Sequence, residues 1–503
     1  MLKLFYKVLK NTAHYITRRA LMNRKIISYF SSAAALILAL SCTLSPSVNA
    51  VDTTETIPSQ DLHPEATQTT EEIHVFADVK PEDWFHDDVY TLIEKDILHG
   101  YSDGLFHPEW EVSNAEFVKM LMIGLNYDVS EPLDLMLFDT HWASSYISFA
   151  YKHDILTDDD FIAGFDPDAP ITREAMTRMT VLGLGIDPVQ IDAPFSDGSD
   201  VYADTAYREY LLRGYLLDDE TRIYDKDGTA LRSEASSIIT RILDYRDDPY
   251  SYKRDVILEN AATAELNTES ELIDLFYVLN REFITDFTFK TAVPYDKWAG
   301  YYRHANVIHL EHFYSSYLHC SYVSGSNTYD LTLEYKTDID LLKQYHSETE
   351  IAAEAIIAEI ITDGMDDRAK IKAIHDYIVL NCAYDYDNYV AGTIPFEARL
   401  AYGALVKKSA VCQGYTAAFN LLCKEAGVRS VVVTGTSPSS PDVHAWNMVL
   451  LDGKMYYIDI THNDPVPDQA DKVSYKYFML NGDQMLNLGY LWDKSHSDIK
   501  YFY

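Results

Sequence analysis

The chain has 503 residues, with 78 acidic against 41 basic side chains and a formal charge of −37. So acidic a surface excludes general phosphate binding, and nucleic acid is not an expected partner. The length calls for several domains, and five cysteines are too few for a disulfide scaffold.

The N-terminus carries a basic stretch at Arg24 and Lys25, an apolar run from Ala33 to Leu40 and a small-residue tail ending at Ala50. In that order they predict a secretory signal peptide over 1–50, followed by a linker over 51–75. The apolar run is too short to cross a bilayer, so an exported chain with no membrane segment after signal cleavage is expected. Cys42 opens a lipoprotein reading, against which stands Ala39 where a leucine is usual.

Three related segments come next. "VSNAEFVKML" begins at Val112, "ITREAMTRMT" at Ile171 and "ALRSEASSII" at Ala230, so the spacing is 171−112 = 59 and 230−171 = 59. Each follows an acidic, turn-rich loop, and each loop follows a helical stretch that opens "FADV", "FDTH" or "FSDG". The predicted unit is helix, loop, helix, and three units bury the apolar face that one alone exposes. These motifs, with "GYSDGLFHP" and "ITREA", resemble the S-layer homology domain, whose usual number is three tandem copies. The resemblance implies an all-α pseudo-threefold bundle of repeats at 76–129, 138–187 and 195–245. It also implies a secondary cell-wall polysaccharide, often pyruvylated, as partner. Arg173 and Arg232 stand at the family's arginine position and would grip an acidic sugar, with Trp84, Asp103 and Gly104 as groove walls. The first repeat departs from the pattern, with Asn114 in the arginine position.

The polar run from Arg246 to Asp255 predicts a linker over 246–266. An α+β leading subdomain over 267–345 follows, with a helix at "ESELIDLFYVLNREF" and a strand at "DLTLEYKT". His304, His309, His312 and His319 tempt toward a metal, but no acidic partner has a recognised spacing and no CxxC occurs, so neither metal nor cofactor is expected. A Cys320–Cys382 bridge is left open.

The final segment, 346–503, holds the chemistry. "YTAAFNLLCKE" predicts a helix with Gly427 as its stop, and Cys412 stands at its N-terminus, where the backbone dipole favours a thiolate. Cys423 reads as core. His375 and Asp376 are neighbours on a helix, point about 100° apart and predict structural support rather than a dyad. "VHAWNMVLLDGKMYYIDIT" predicts a hairpin about Gly453, with His444 starting one strand and Asp459 ending the other, side by side. A thiolate needs an imidazole to take its proton, and the imidazole needs an acceptor to hold its tautomer.

"AVCQGYTAAFNLLCKEAGV", "HAWNMVLLDGKMYYIDIT" and "KIKAIHDYIV" resemble the transglutaminase-like superfamily, a papain-like α+β fold. The resemblance implies Cys412 as nucleophile, His444 as base and then acid, Asp459 as its orienter, and the Cys412 N–H as one oxyanion donor. The chain departs at His462, where many relatives have tryptophan. The expected protein is thus multidomain: a wall-anchored, extracellular cysteine acyltransferase or hydrolase acting on peptide or protein amides. The alternative is a non-catalytic wall protein with an unused triad.

Overall fold

The computed structural model describes residues 76–494, apart from 132, 134, 192, 219–220, 323–324, 439 and 470–471. The expected signal peptide, the 51–75 linker and Cys42 lie outside the described residues.

The N-terminal third is built from helices α1 (His86–Glu94), α2 (Asn114–Gly124), α3 (Ser144–Lys152), α4 (Asp158–Ile162), α5 (Arg173–Gly183), α6 (Val201–Arg208) and α7 (Arg232–Asp247). The residues that open the three related segments bond to one another in a ring. Val112 N–H donates to Ala230 C=O (3.0 Å), Ala230 N–H to Ile171 C=O (3.0 Å), and Ile171 N–H to Val112 C=O (2.8 Å). All three side chains are buried. The spacing of 59 therefore reports a threefold closure in which each unit completes the next one's backbone pairing. Ser113 and Thr172 cap α2 and α5 by accepting the N–H groups of Glu116 and Ala175. Asp78 and Asp197, from "FADV" and "FSDG", each accept two backbone N–H groups of the loop that follows. Phe117, Leu121, Ile147, Val181 and Ile239 share one core across the three units. The region is not wholly helical: strands β1 (Tyr215–Leu216) and β2 (Arg222–Ile223) form a ribbon in the third unit.

The expected linker over 246–266 is instead largely helix α8 (Pro249–Thr263). Asp248 caps it and Pro249 takes the first turn, where its missing N–H costs nothing. Val256, Ile257 and Ala261 are buried, so the stretch is core rather than spacer. Next come α9 (Glu269–Arg281), β3 (Asp286–Lys290), α10 (Tyr295–Ile308), a 3-10 turn (Leu310–His312), β4 (Ser315–Tyr322) and β5 (Thr328–Tyr335). The strands make an antiparallel sheet in the order β3-β5-β4, with Trp298 and Phe276 buried beneath it.

The C-terminal part comprises α11 (Ile339–Ile360), α12 (Asp367–Asn381), β6 (Ala383–Tyr384), α13 (Tyr386–Ala391), β7 (Ser409–Ala410) and α14 (Cys412–Glu425). Then follow β8 (Ser430–Ser437), β9 (Ser440–Leu451), β10 (Lys454–Ile458), α15 (Ile460–Asn463), α16 (Gly482–Asn487) and β11 (Leu491–Trp492). The sheet order is β10-β9-β8-β11, and the apolar face of α14 packs on it through Phe419, Leu422 and Cys423. Cys320, Cys382, Cys412 and Cys423 are all free thiols, which closes the Cys320–Cys382 option. No described helix is long and apolar enough to cross a membrane.

Candidate active site

Cys412 is the first residue of α14 and is half-buried. Val411 before it provides no side-chain cap, so the first-turn N–H groups of α14 lack a side-chain acceptor there. The close approach of the 396–399 segment fixes this end of the helix. Val411 N–H donates to Ala398 C=O, and a Cβ on Gly414 would fall 2.5 Å from that same oxygen. Only glycine fits at Gly414. Gln413, whose role the sequence left open, accepts from Arg399 Nη1 at 2.8 Å.

His444 lies on β9 and Asp459 follows β10 as the N-cap of α15, accepting the His462 N–H. The hairpin register is Ile458 opposite Asn447, about a turn at Asp452 and Gly453, both with positive φ. Extended by a residue, Asp459 falls level with Trp446, two positions short of the side-by-side placement with His444 that the sequence predicted. The side chains close that offset: His444 Nε2 is 2.8 Å from Asp459 Oδ2. This contact engages Nε2 and leaves Nδ1 as the ring nitrogen clear of the carboxylate. The Cys412 sulfur is near enough to the imidazole to help raise its pKa.

The electrostatics favour an imidazolium. Burial pushes the pKa of His444 down, but the Asp459 carboxylate and its hydrogen bond, with the Cys412 sulfur, outweigh that and raise it to about 10. Asp459 is fully buried; burial raises its pKa, yet His444 and His462 together hold it below the usual carboxylate range. By contrast, burial pushes the thiol of Cys382 up to about 12 and that of Cys423 well above its ordinary value.

Two further groups converge on Asp459 that motif reasoning did not assign. Tyr490 OH donates to Oδ2 at 2.6 Å, and His462 Nδ1 lies 2.7 Å from the same atom. The His462 ring stacks on His444 with centroids 4.6 Å apart. His462 therefore faces the site rather than solvent. His375 and Asp376 do bond to each other (2.9 Å), against expectation, because the short carboxylate folds back along the helix to the ring. His375 Nε2 in turn meets Asn463 Nδ2 at 3.0 Å, so the pair supports α15 from behind.

In the repeat region, Arg232 is buried. Its Nε and Nη2 donate to the carbonyls of Phe106 and His99, both at 3.0 Å, and its plane lies over Tyr101 and Phe106. It forms the floor of a groove of about 200 Å³, beside Tyr101, Lys119 and the exposed Trp142. Arg173 pairs with Asp225 and Glu234 and donates to Tyr215 OH. Asn114 caps the adjoining loop by donating to the carbonyls of Asp166 and Ala169. Trp84 is exposed against Phe85, and Asp103 bonds Leu105 N–H and His107 at the turn where Gly104 has φ +82°.

Residues 354–460 match the model of the transglutaminase-like superfamily, and residues 75–118 and 138–177 match that of the S-layer homology domain. Among curated proteins the chain is similar to an endoglucanase of Bacillus sp. (strain KSM-635), 27% identical over 177 residues, covering 33% of this chain and 18% of the relative. It is 27% identical over 133 residues to the kyphoscoliosis peptidase of Mus musculus, covering 24% of this chain and 20% of the relative. It is 29% identical over 105 residues to a surface-layer 125 kDa protein of Lysinibacillus sphaericus, covering 20% of this chain and 9% of the relative. The chain thus spans a fifth or less of the length of these relatives. The S-layer homology segments point to the cell surface, and the C-terminal segment is transglutaminase-like. The chain carries two S-layer homology segments and, C-terminal to them, a transglutaminase-like domain.

Proposed function

We propose that the chain is a cell-wall-anchored cysteine enzyme that opens amide bonds through a thioester on Cys412. One observation carries this reading: the His444 imidazole is held at 2.8 Å by the Asp459 carboxylate, and its pKa is raised in part by the nearby sulfur that begins a helix. In the reaction, the Cys412 sulfur attacks the amide carbonyl carbon, and the Cys412 N–H at the start of α14 faces the developing oxyanion. His444 gives its proton to the leaving amine, and the C–N bond breaks to leave the thioester. Water then hydrolyses it, or a second amine takes the acyl group and completes a cross-link. Hydrolysis is the favoured outcome, in keeping with the peptidase among the relatives. Calcium has no role in this scheme.

In the anchoring half, the third 59-residue unit acts as a third S-layer homology repeat, and wall polysaccharide lies in the grooves between units. Arg232 would present positive charge to its acidic groups in the groove walled by Trp142, and Arg173, Trp84, Asp103 and Gly104, which lie outside that groove, would serve elsewhere on the repeats. The test is a split of activities. Cys412→Ala should retain sedimentation with purified cell wall and release no amine from glutaminyl or peptidyl amides. Amine release by Cys412→Ala equal to that of the parent chain would refute the enzyme, and failure of the parent chain to sediment would refute the anchor.

A further inference from the structure

Away from the active site, one buried group is arranged in a way that hydrogen bonding does not explain. His312 ends the 3-10 turn, and His346 and Glu350 lie one turn apart on the same face of α11. A ligand atom from each lies within 4.8 Å of the others. His312 Nε2 is 3.6 Å and His346 Nε2 is 3.9 Å from Glu350 Oε1. Both separations exceed hydrogen-bond range. Glu350 Oε1 is nevertheless buried and has no hydrogen-bond partner, an unfavourable state for a carboxylate oxygen. Arg281 does not satisfy it. Its Nη2 stays 3.9 Å away, while Nη1 donates to Tyr277 OH and the guanidinium lies over Tyr250.

The separations come close to a different interaction. A tetrahedral ion with bonds of about 2.0–2.2 Å holds its ligand atoms about 3.3–3.6 Å apart; the 3.6 Å pair meets that spacing, and the 3.9 Å pair needs a small inward shift of His346. The two nitrogens of His346 are also divided in a way that suits it. Nδ1 meets Tyr314 OH at 3.1 Å, and Nε2 is the nitrogen on the side of Glu350. The second grouping of this kind, His444, Asp459 and His462, is the contrasting case: its carboxylate is already bonded at 2.7–2.8 Å.

We propose that His312, His346 and Glu350 form a Zn²⁺ site that ties the 3-10 turn to α11. Two imidazoles and a carboxylate are a zinc donor set, with a fourth position left for water. Glu311, in the same turn, accepts from Asn420 at 2.7 Å and pairs with Lys424, so the turn grips α14. An ion at this place would brace the leading subdomain against the helix that begins with Cys412.

The sequence offered no spacing for this site, because His312 lies 34 and 38 positions from its partners. The test uses the whole exported chain, stripped with chelator, reloaded with Zn²⁺ and desalted. The expected result is one zinc retained per chain and a higher unfolding temperature. His346→Ala should lose the zinc, and Glu350→Gln should weaken its binding at least tenfold, while His462→Asn keeps it. Cobalt substitution of the parent chain serves even where a variant fails to fold, and it should give visible bands of a tetrahedral N/O site. Failure of the parent chain to retain zinc would overturn the proposal. So would zinc lost from His462→Asn but kept by His346→Ala, or a thiolate-to-cobalt charge-transfer band.

Discussion

The repeat region and the catalytic region solve the same problem, holding distant segments together, by opposite means. In the repeats the closure is backbone on backbone: Val112, Ile171 and Ala230 donate to one another in turn, whatever their side chains. The equivalent side chains are then free to diverge. Arg173 forms ion pairs, Arg232 is buried against carbonyls, and Asn114 caps a loop. In the catalytic region the closure is side chain on side chain, with Cys412, His444, Asp459, His462 and Tyr490 each occurring once. A symmetric scaffold tolerates change at any one position, whereas a convergent site fails at each of its members.

Substitutions can sharpen that difference, and the largest effect belongs to the convergent site. Cys412→Ala should abolish amine release altogether while leaving wall sedimentation unchanged. Asp459→Asn should lower turnover by roughly 10³–10⁴-fold, since the imidazole loses its orienting carboxylate. It should also move the alkaline limb. His444 is held protonated up to about pH 10 in the parent chain, so activity that depends on the imidazolium is lost as pH rises through that value. Without Asp459 the limb should drop toward the ordinary histidine range near 6.5. A pH–rate profile with an unmoved limb would separate His444 from Asp459.

Smaller effects follow. Replacing both Arg173 and Arg232 by Met should weaken sedimentation with wall polysaccharide about tenfold or more and leave amine release intact. Full binding by the double variant would remove the arginines from the anchor. Tyr490→Phe should cost about tenfold in turnover, the worth of one hydrogen bond to a buried charge. The smallest effect is on stability. Burial raises the pKa of Asp464 to about 7, with Asp468 adding to the rise and the Tyr415 hydroxyl opposing it. Its folded-state value lies above the unfolded value, so ionisation penalises the fold from about pH 4 upward, fully above pH 7. Asp464→Asn should therefore raise the unfolding temperature by on the order of 5 °C above pH 7, and have no effect below pH 4.

What could be read from the amino-acid order follows the same division. A backbone closure repeated every 59 residues leaves a period in the text, and Val112, Ile171 and Ala230 were visible as the starts of the units. The helix stop at Gly427, with φ +71°, and the turn at Asp452-Gly453 were visible because local geometry demands those residues. The polar run after Arg246 misled, since polarity on the outer face of α8 hid the buried Val256 and Ile257. His444 and Asp459 could be paired by their places on a hairpin, but the register is offset by two, because the turn is the residue pair Asp452-Gly453 and Leu451 faces Lys454 across it. Tyr490 was beyond reach: it stands 31 residues from Asp459 and no motif joins them. His462 was seen as a departure, yet which way it faces depends on how α15 turns after Asp459.

Everything proposed for catalysis depends on the Cys412 sulfur taking the acyl group, and peptide mass spectrometry tests this directly. The chain is mixed with an activated glutaminyl or peptidyl ester, quenched in acid and digested. The account predicts an acyl adduct on the peptide that contains Cys412, absent from those with Cys382 and Cys423 and absent from His444→Ala. No adduct at any time, or an equal yield in His444→Ala, would contradict it.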